Sequence, residues 1–140
     1  MKKRIVVVED DVQTAELMRI ILDDAGFDVV NLYHGVDAVR YLEKEKADLI
    51  LLDIRLPGYD GFEILERMHT NGMKQTAPII MLSADVLSTS RQHAFDLGAT
   101  DFVNKPFQIN DLLNRITMAM ETAVFPWPTL SPNWQHAPAN

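Results

Sequence analysis

Apolar positions along this chain fall into two alternating rhythms. Short β-branched runs stand at Arg4–Val8, Phe27–Leu32, Asp48–Leu52, Pro78–Leu82 and Asp101–Asn104. They are nearly continuous rather than alternating, the pattern of strands covered on both faces. Between them the spacing becomes helical. Ala15, Met18, Leu22 and Ala25 share one face, and Gly26 supplies a stop. A second helix is expected from Val36 to Lys46, on Val36, Val39, Tyr41 and Leu42. A third follows Gly61 on Phe62, Ile64, Leu65 and Met68 and ends near Asn71-Gly72. A fourth runs from Val86 to Leu97 before Gly98, and a fifth carries Ile109, Leu112, Leu113, Ile116 and Met120. The methionines at helical spacing read as core fillers.

Five strands alternating with five helices predict a parallel sheet with helices on both faces. Right-handed crossovers leave few topologies, and a flavodoxin-like (βα)5 fold of strand order 2-1-3-4-5 suits five such units. This α/β domain is expected over residues 1–121. The segment 122–140 differs in kind. It holds Pro126, Pro128, Pro132 and Pro138 and both tryptophans, Trp127 and Trp134. Proline at that density blocks helix and strand, so an extended or disordered tail is expected.

Composition narrows the setting. At 140 residues, 47% of them hydrophobic, the chain can bury one core. A formal net charge of -7 repels nucleic acid and anionic membrane, so neither is an expected partner. Lys2, Lys3 and Arg4 precede an apolar run that ends at Glu9, too short for a secretory leader. No stretch reaches membrane-spanning length and no cysteine is present. The expected setting is cytoplasmic.

In an open parallel sheet, ligands bind beyond the carboxyl ends of the strands. Here the first strand delivers Glu9-Asp10-Asp11, the third Asp53, the fourth Ser83-Ala84 and the fifth Lys105-Pro106. Carboxylates from two adjacent strands therefore converge, with a hydroxyl and an ammonium beyond them. Such carboxylates repel one another unless a cation or proton intervenes. A hard divalent ion, Mg²⁺, suits that donor set. A carboxylate beside it can act as a nucleophile toward phosphorus, with Lys105 and Ser83 offsetting charge on the phosphoryl oxygens. Asp11 and Asp60 read as solvated loop charges, Asp11 also as a helix N-cap. His34, His69, His93 and His136 stand at no metal-ligand spacing and are expected to be structural.

Four runs taken together, Ile5–Asp11, Leu51–Gly61, Met81–Ala84 and Gly98–Phe107, resemble the receiver domain of bacterial two-component response regulators. The resemblance covers about Lys3 to Met120. It implies a signalling switch rather than an enzyme, catalysing only its own phosphorylation and dephosphorylation. Asp53 is similar in position to the phosphoacceptor, Asp10 to the direct metal ligand, and Glu9 to a partner acting mainly through water. The Arg55 carbonyl falls where the family completes metal coordination, with Mn²⁺ as a substitute for Mg²⁺. Ser83 matches the switch hydroxyl and Lys105 the ion-pairing cation. Phe102 reads both as the aromatic that changes burial and as plain core. Lys105-Pro106 resembles the family's cis peptide. Arg55 and Asp85 match positions that tune attack by water on the phosphoryl group.

The resemblance also implies partners: a sensor histidine kinase or phosphotransfer protein upstream, and an unidentified protein downstream. Arg91, Asp101, Asp111 and Arg115 fall where related receivers pair across a phosphorylation-promoted homodimer. A receiver excised from a larger hybrid kinase or response regulator would use the same chemistry. Two other classes fit less well. A haloacid-dehalogenase-type phosphatase wants a second aspartate where Arg55 stands. A nucleotide-binding Rossmann-like module wants a glycine-rich turn where Glu9-Asp10-Asp11 stands. A pseudo-receiver would not need the full set of Asp10, Asp53, Ser83 and Lys105.

Overall fold

Burial on both faces decides the architecture: Ile5, Val6, Val7 and Val8 of β1 (Arg4–Val8) are all fully buried. Strands of this kind need helices above and below. The computed structural model, which describes residues 2–70, 76–84 and 87–124, supplies them. The remaining strands are β2 (Asp28–Leu32), β3 (Leu49–Asp53), β4 (Ile79–Ser83) and β5 (Asp101–Asn104). They alternate with α1 (Val12–Asp24), α2 (Gly35–Lys44), α3 (Gly61–Thr70), α4 (Ser88–Asp96) and α5 (Ile109–Val124). The sheet order is β2-β1-β3-β4-β5, every neighbouring pair parallel, as the sequence led one to expect.

Successive residues of each strand feed opposite cores. Val6, Val8, Ile50, Leu52, Met81 and Phe102 pack with Leu42 of α2, Ile64 and Leu65 of α3 and Ala94 of α4. Ile5, Val7, Leu49, Leu51, Ile80, Leu82 and Val103 pack with Met18 and Leu22 of α1 and Leu112 and Ile116 of α5. Pairing Met81 with Phe102 puts Ser83, two residues further along β4, on the face that Phe102 occupies.

Several element ends differ from expectation. α2 stops at Lys44, two residues early, because Glu45 is already extended (φ -115°, ψ 146°) as the chain reverses into β3. β3 and β4 each take in one more residue at the site end, Asp53 and Ser83. α5 continues to Val124, so 122–124, assigned above to the tail, are helical; no residue before Pro126 obstructs a helix. The rest of the tail, 125–140, lies outside the described residues, as do Asn71-Gly72 and the expected start of α4 at Val86. Met118 is 64% exposed rather than a core filler. It stands half a turn away from the buried stripe of Leu112, Ile116 and Ala119.

Candidate functional site

The sheet's carboxyl edge gathers the polar groups that the strands deliver. Val8 pairs with both Leu32 and Leu52, so Glu9 leaves β1 level with Asp53 at the end of β3. The Glu9 amide donates to Leu32 O at 3.0 Å, carrying the strand one residue further. Glu9 and Asp53 are buried, 1% and 6% exposed, whereas Asp10 is exposed. Each of the three offers a carboxylate oxygen within 4.8 Å of the others.

Charge at this edge is balanced from β5. Lys105 follows the strand directly, its amide donating to Ser83 O at 2.7 Å, and its peptide bond to Pro106 is cis. Its ammonium donates to Glu9 Oε1 at 2.6 Å and to Asp53 Oδ2 at 3.0 Å. One cation thus bridges both buried carboxylates. Burial pushes the Glu9 carboxyl above its ordinary range, with Asp53 adding to the rise, against the bonds from Lys105 and the Asp11 amide. For Lys105, burial works to lower the pKa, but the bond to Glu9 and the charge and bond of Asp53 outweigh it. The ammonium is held above the usual lysine value.

The loop after β3 is clamped over the strand end. The Gly61 amide donates to Ile54 O at 2.8 Å, and a Cβ on Gly61 would lie 2.5 Å from Asp53 O. On the other side the Gly35 amide donates to Pro57 O at 3.0 Å. A Cβ on Gly35 would lie 1.9 Å from Tyr59 O, a position no side chain can occupy. Arg67 stacks its guanidinium 3.8 Å above the Tyr59 ring. Asp60 and Glu63 exchange bonds at 2.9 Å as a capping box on α3, so Asp60 is a cap rather than the solvated charge expected of it. The Asp-x-x-Glu spacing was the signal for it. Within this loop the Arg55 amide donates to Asp53 Oδ1 at 3.2 Å, while its side chain is exposed.

The other expected residues are placed as follows by the neighbouring elements, or lie outside the described residues. Ser83 is buried at the end of β4, beside Asp53's strand. Phe102 is 2% exposed, with the Arg91 guanidinium 5.5 Å from its ring centre. Arg115 bonds both oxygens of Asp101 at 2.8 Å and Asp111 at 3.0 Å, giving those carboxylates a partner within the chain. Asp85 lies outside the described residues. Asp11 caps α1, accepting from the Thr14 amide at 3.0 Å. His93 packs against Phe62 with ring centres 4.6 Å apart and planes tilted by 52°, a packing role.

A family model for the response regulator receiver domain matches residues 5–117. The chain belongs to that family. Solved receivers agree in fold. A CheY-like receiver domain protein from Methanospirillum hungatei JF-1 is 27% identical, TM-score 0.81, over 88% of this chain and 97% of that one. The receiver domain of sensor histidine kinase PA1611 from Pseudomonas aeruginosa PAO1 is 30% identical, TM-score 0.76, over 86% and 99%; that structure has a magnesium ion coordinated in its active-site cleft. The BeF3-activated DrrB receiver domain is 29% identical, TM-score 0.75, again over 86% and 99%. In the present receiver the metal's fit rests on its own donors. Three converging carboxylates are all hard oxygen ligands, against one ammonium, the set that Mg²⁺ prefers. No helix among the described residues is long and apolar enough to cross a membrane.

Proposed function

We propose that this receiver accepts a phosphoryl group on Asp53 from a phosphohistidine of a sensor kinase or phosphotransfer protein and relays it as a change of surface. One observation carries the reading: Glu9, Asp10 and Asp53 converge within 4.8 Å while Lys105 spans two of them. Asp10, Glu9 and Asp53 would hold Mg²⁺, with the Arg55 carbonyl as a further oxygen ligand and Mn²⁺ as a substitute ion. When bound, the metal neutralises charge on the phosphoryl oxygens.

The chain's own groups do the rest. Asp53 presents one carboxylate oxygen to phosphorus, held by the Arg55 amide on one side and Lys105 on the other. The new P–O bond forms as the P–N bond breaks, its electron pair returning to the donor imidazole. Lys105 then pairs with a phosphoryl oxygen, and the Ser83 hydroxyl donates to another. Since Ser83 and Phe102 share one face of the sheet, movement of Ser83 toward the phosphoryl group frees space beside Phe102. The face made by α4, β5 and α5 changes accordingly and meets the downstream protein. Loss of the phosphoryl group to water is tuned by Arg55, exposed at the mouth of the site, and by Asp85. The resemblance to the PA1611 receiver favours keeping a second setting in view, a receiver within a longer kinase, with identical chemistry.

The test is incubation with Mg²⁺ and radiolabelled phosphorylated donor. Label is expected on the native chain, stable to neither base nor hydroxylamine, and absent from Asp53→Asn. Undiminished labelling of Asp53→Asn would overturn the proposal.

A further inference from the structure

Glu9 and Asp53 share one ammonium, but they do not hold it alike. Lys105 Nζ lies 2.6 Å from Glu9 Oε1 and 3.0 Å from Asp53 Oδ2. Glu9 is also the more deeply buried of the two carboxylates. Its own position is pinned at both ends. The Glu9 amide donates to Leu32 O at 3.0 Å, and Oε2 accepts from the Asp11 amide at 3.1 Å. Both Glu9 oxygens are thus engaged within the chain, whereas Asp10 stands exposed.

Lys105 is fixed only at its backbone, where the amide donates to Ser83 O at 2.7 Å. Beyond it a flexible four-carbon stem carries the ammonium. Three N–H groups are available there. Two lie on these carboxylates, and the third remains for a phosphoryl oxygen. Should the ammonium swing away entirely, Glu9 would be left as an uncompensated buried charge. That penalty keeps the contact to Glu9 in place while the contact to Asp53 changes.

We propose that Glu9 is a positioning residue for phosphoryl transfer. Its Oε1 anchors the Lys105 ammonium while the contact to Asp53 Oδ2 is exchanged for a phosphoryl oxygen. The exchange rests on Asp53 as the phosphoacceptor; the anchoring does not. Length as well as charge then matters at residue 9. Aspartate is shorter by one methylene, about 1.5 Å of reach, which stretches the contact beyond hydrogen-bond range. Glutamine keeps the length and a carbonyl oxygen for Lys105, giving up the charge and the bond from the Asp11 amide. A residue acting only as charge, or as an oxygen ligand of Mg²⁺, would show the opposite order, tolerating aspartate and failing with glutamine.

The first measurement needs neither metal nor phosphoryl donor. In EDTA, a ¹H–¹⁵N spectrum of side-chain ammonium groups should show a slowly exchanging lysine signal, identified by its loss in Lys105→Gln. It should persist in Glu9→Gln and vanish in Glu9→Asp. The second measurement uses Mg²⁺ with acetyl phosphate as donor. Glu9→Asp should lower the saturated labelling rate about ten-fold with little change in KM, short of the roughly 100- to 1000-fold that loss of a whole transition-state donor costs. Glu9→Gln should lower it less. Three outcomes would overturn the anchor: no such signal in the native chain, a signal intact in a Glu9→Asp chain of native circular dichroism, or Glu9→Asp labelled faster than Glu9→Gln. If the signal follows the expected order while no form of the chain is labelled, the anchor stands, and the exchange is overturned together with the reading of Asp53.

Discussion

Replacing Lys105 with glutamine removes the ammonium that bridges Glu9 and Asp53 and leaves two buried carboxylates facing each other. Breaking a fully buried pair from one side costs about 3–5 kcal/mol. Lys105 is 22% exposed, so water and counterions replace part of what is lost, and a cost of about 2 kcal/mol is expected. With a urea m-value of about 2 kcal/mol/M, the unfolding midpoint should fall by about 1 M in EDTA. Far-UV circular dichroism is the appropriate probe, because both tryptophans lie in 125–140. Two controls separate charge from packing. Saturating Mg²⁺ should narrow the deficit, since the unbridged carboxylates bind a cation more tightly. Lys105→Gln made on a Glu9→Gln background should cost clearly less than on the native one. Equal midpoints for Lys105→Gln and the native chain in EDTA would refute the idea that this ammonium offsets the buried charge. A deficit untouched by both Mg²⁺ and Glu9→Gln would refute it as well.

Three further outcomes follow from the same geometry. Gly35→Ala drives a Cβ into the Tyr59 backbone, so it should lower stability by about 1–3 kcal/mol and weaken Mg²⁺ binding through the displaced Arg55 loop, read by urea unfolding and calorimetric titration. Asp11→Ala removes the α1 cap and should cost about 1 kcal/mol with no change in labelling of Asp53. Glu9 reverses the usual acid behaviour: its folded pKa is raised, so its contribution to stability is present below its unfolded pKa and lost as pH rises through the folded one. Glu9→Gln should therefore gain stability over the native chain as pH rises through that interval in EDTA, and a native-like pH profile for the variant would contradict this.

The fold was legible because its three inner strands, β1, β3 and β4, are buried on both faces. The unbroken apolar run Ile5–Val8 cannot be mistaken for a half-exposed strand, and all four of its residues are inaccessible. Strand ends were less clear: Asp53 and Ser83 are polar, so an apolar pattern stops one residue short of strands that include them. The meeting of Glu9, Asp10 and Asp53 was also readable, from strand order and the rule that parallel sheets bind at their carboxyl edge. What escaped depends on how side chains choose among partners. Sequence placed Lys105 near Asp53; geometry puts it closer to Glu9, across 96 positions of chain. Gly35 gave no signal, because its need for a bare Cα comes from Tyr59, an approach set by tertiary packing.

That division has a consequence for the switch. Asp101, Asp111 and Arg115 looked available for pairing between two copies, yet within one chain Arg115 already holds both carboxylates. Exposed ion pairs contribute about 0–1 kcal/mol each, so exchanging these partners for those of a second copy gains little by itself. Arg91 differs, since its guanidinium is committed to a ring rather than to a carboxylate. It contacts Phe102, and Phe102 shares its sheet face with Ser83. The Phe102 amide also donates to Asp101 Oδ1 at 2.8 Å, an oxygen that Arg115 holds, so under the proposed switch a displacement of Ser83 that repacked Phe102 would reach both Arg91 and the Arg115 ion pair. Both would be visible on the face made by α4, β5 and α5, where a partner sensing the proposed phosphorylation of Asp53 would read them.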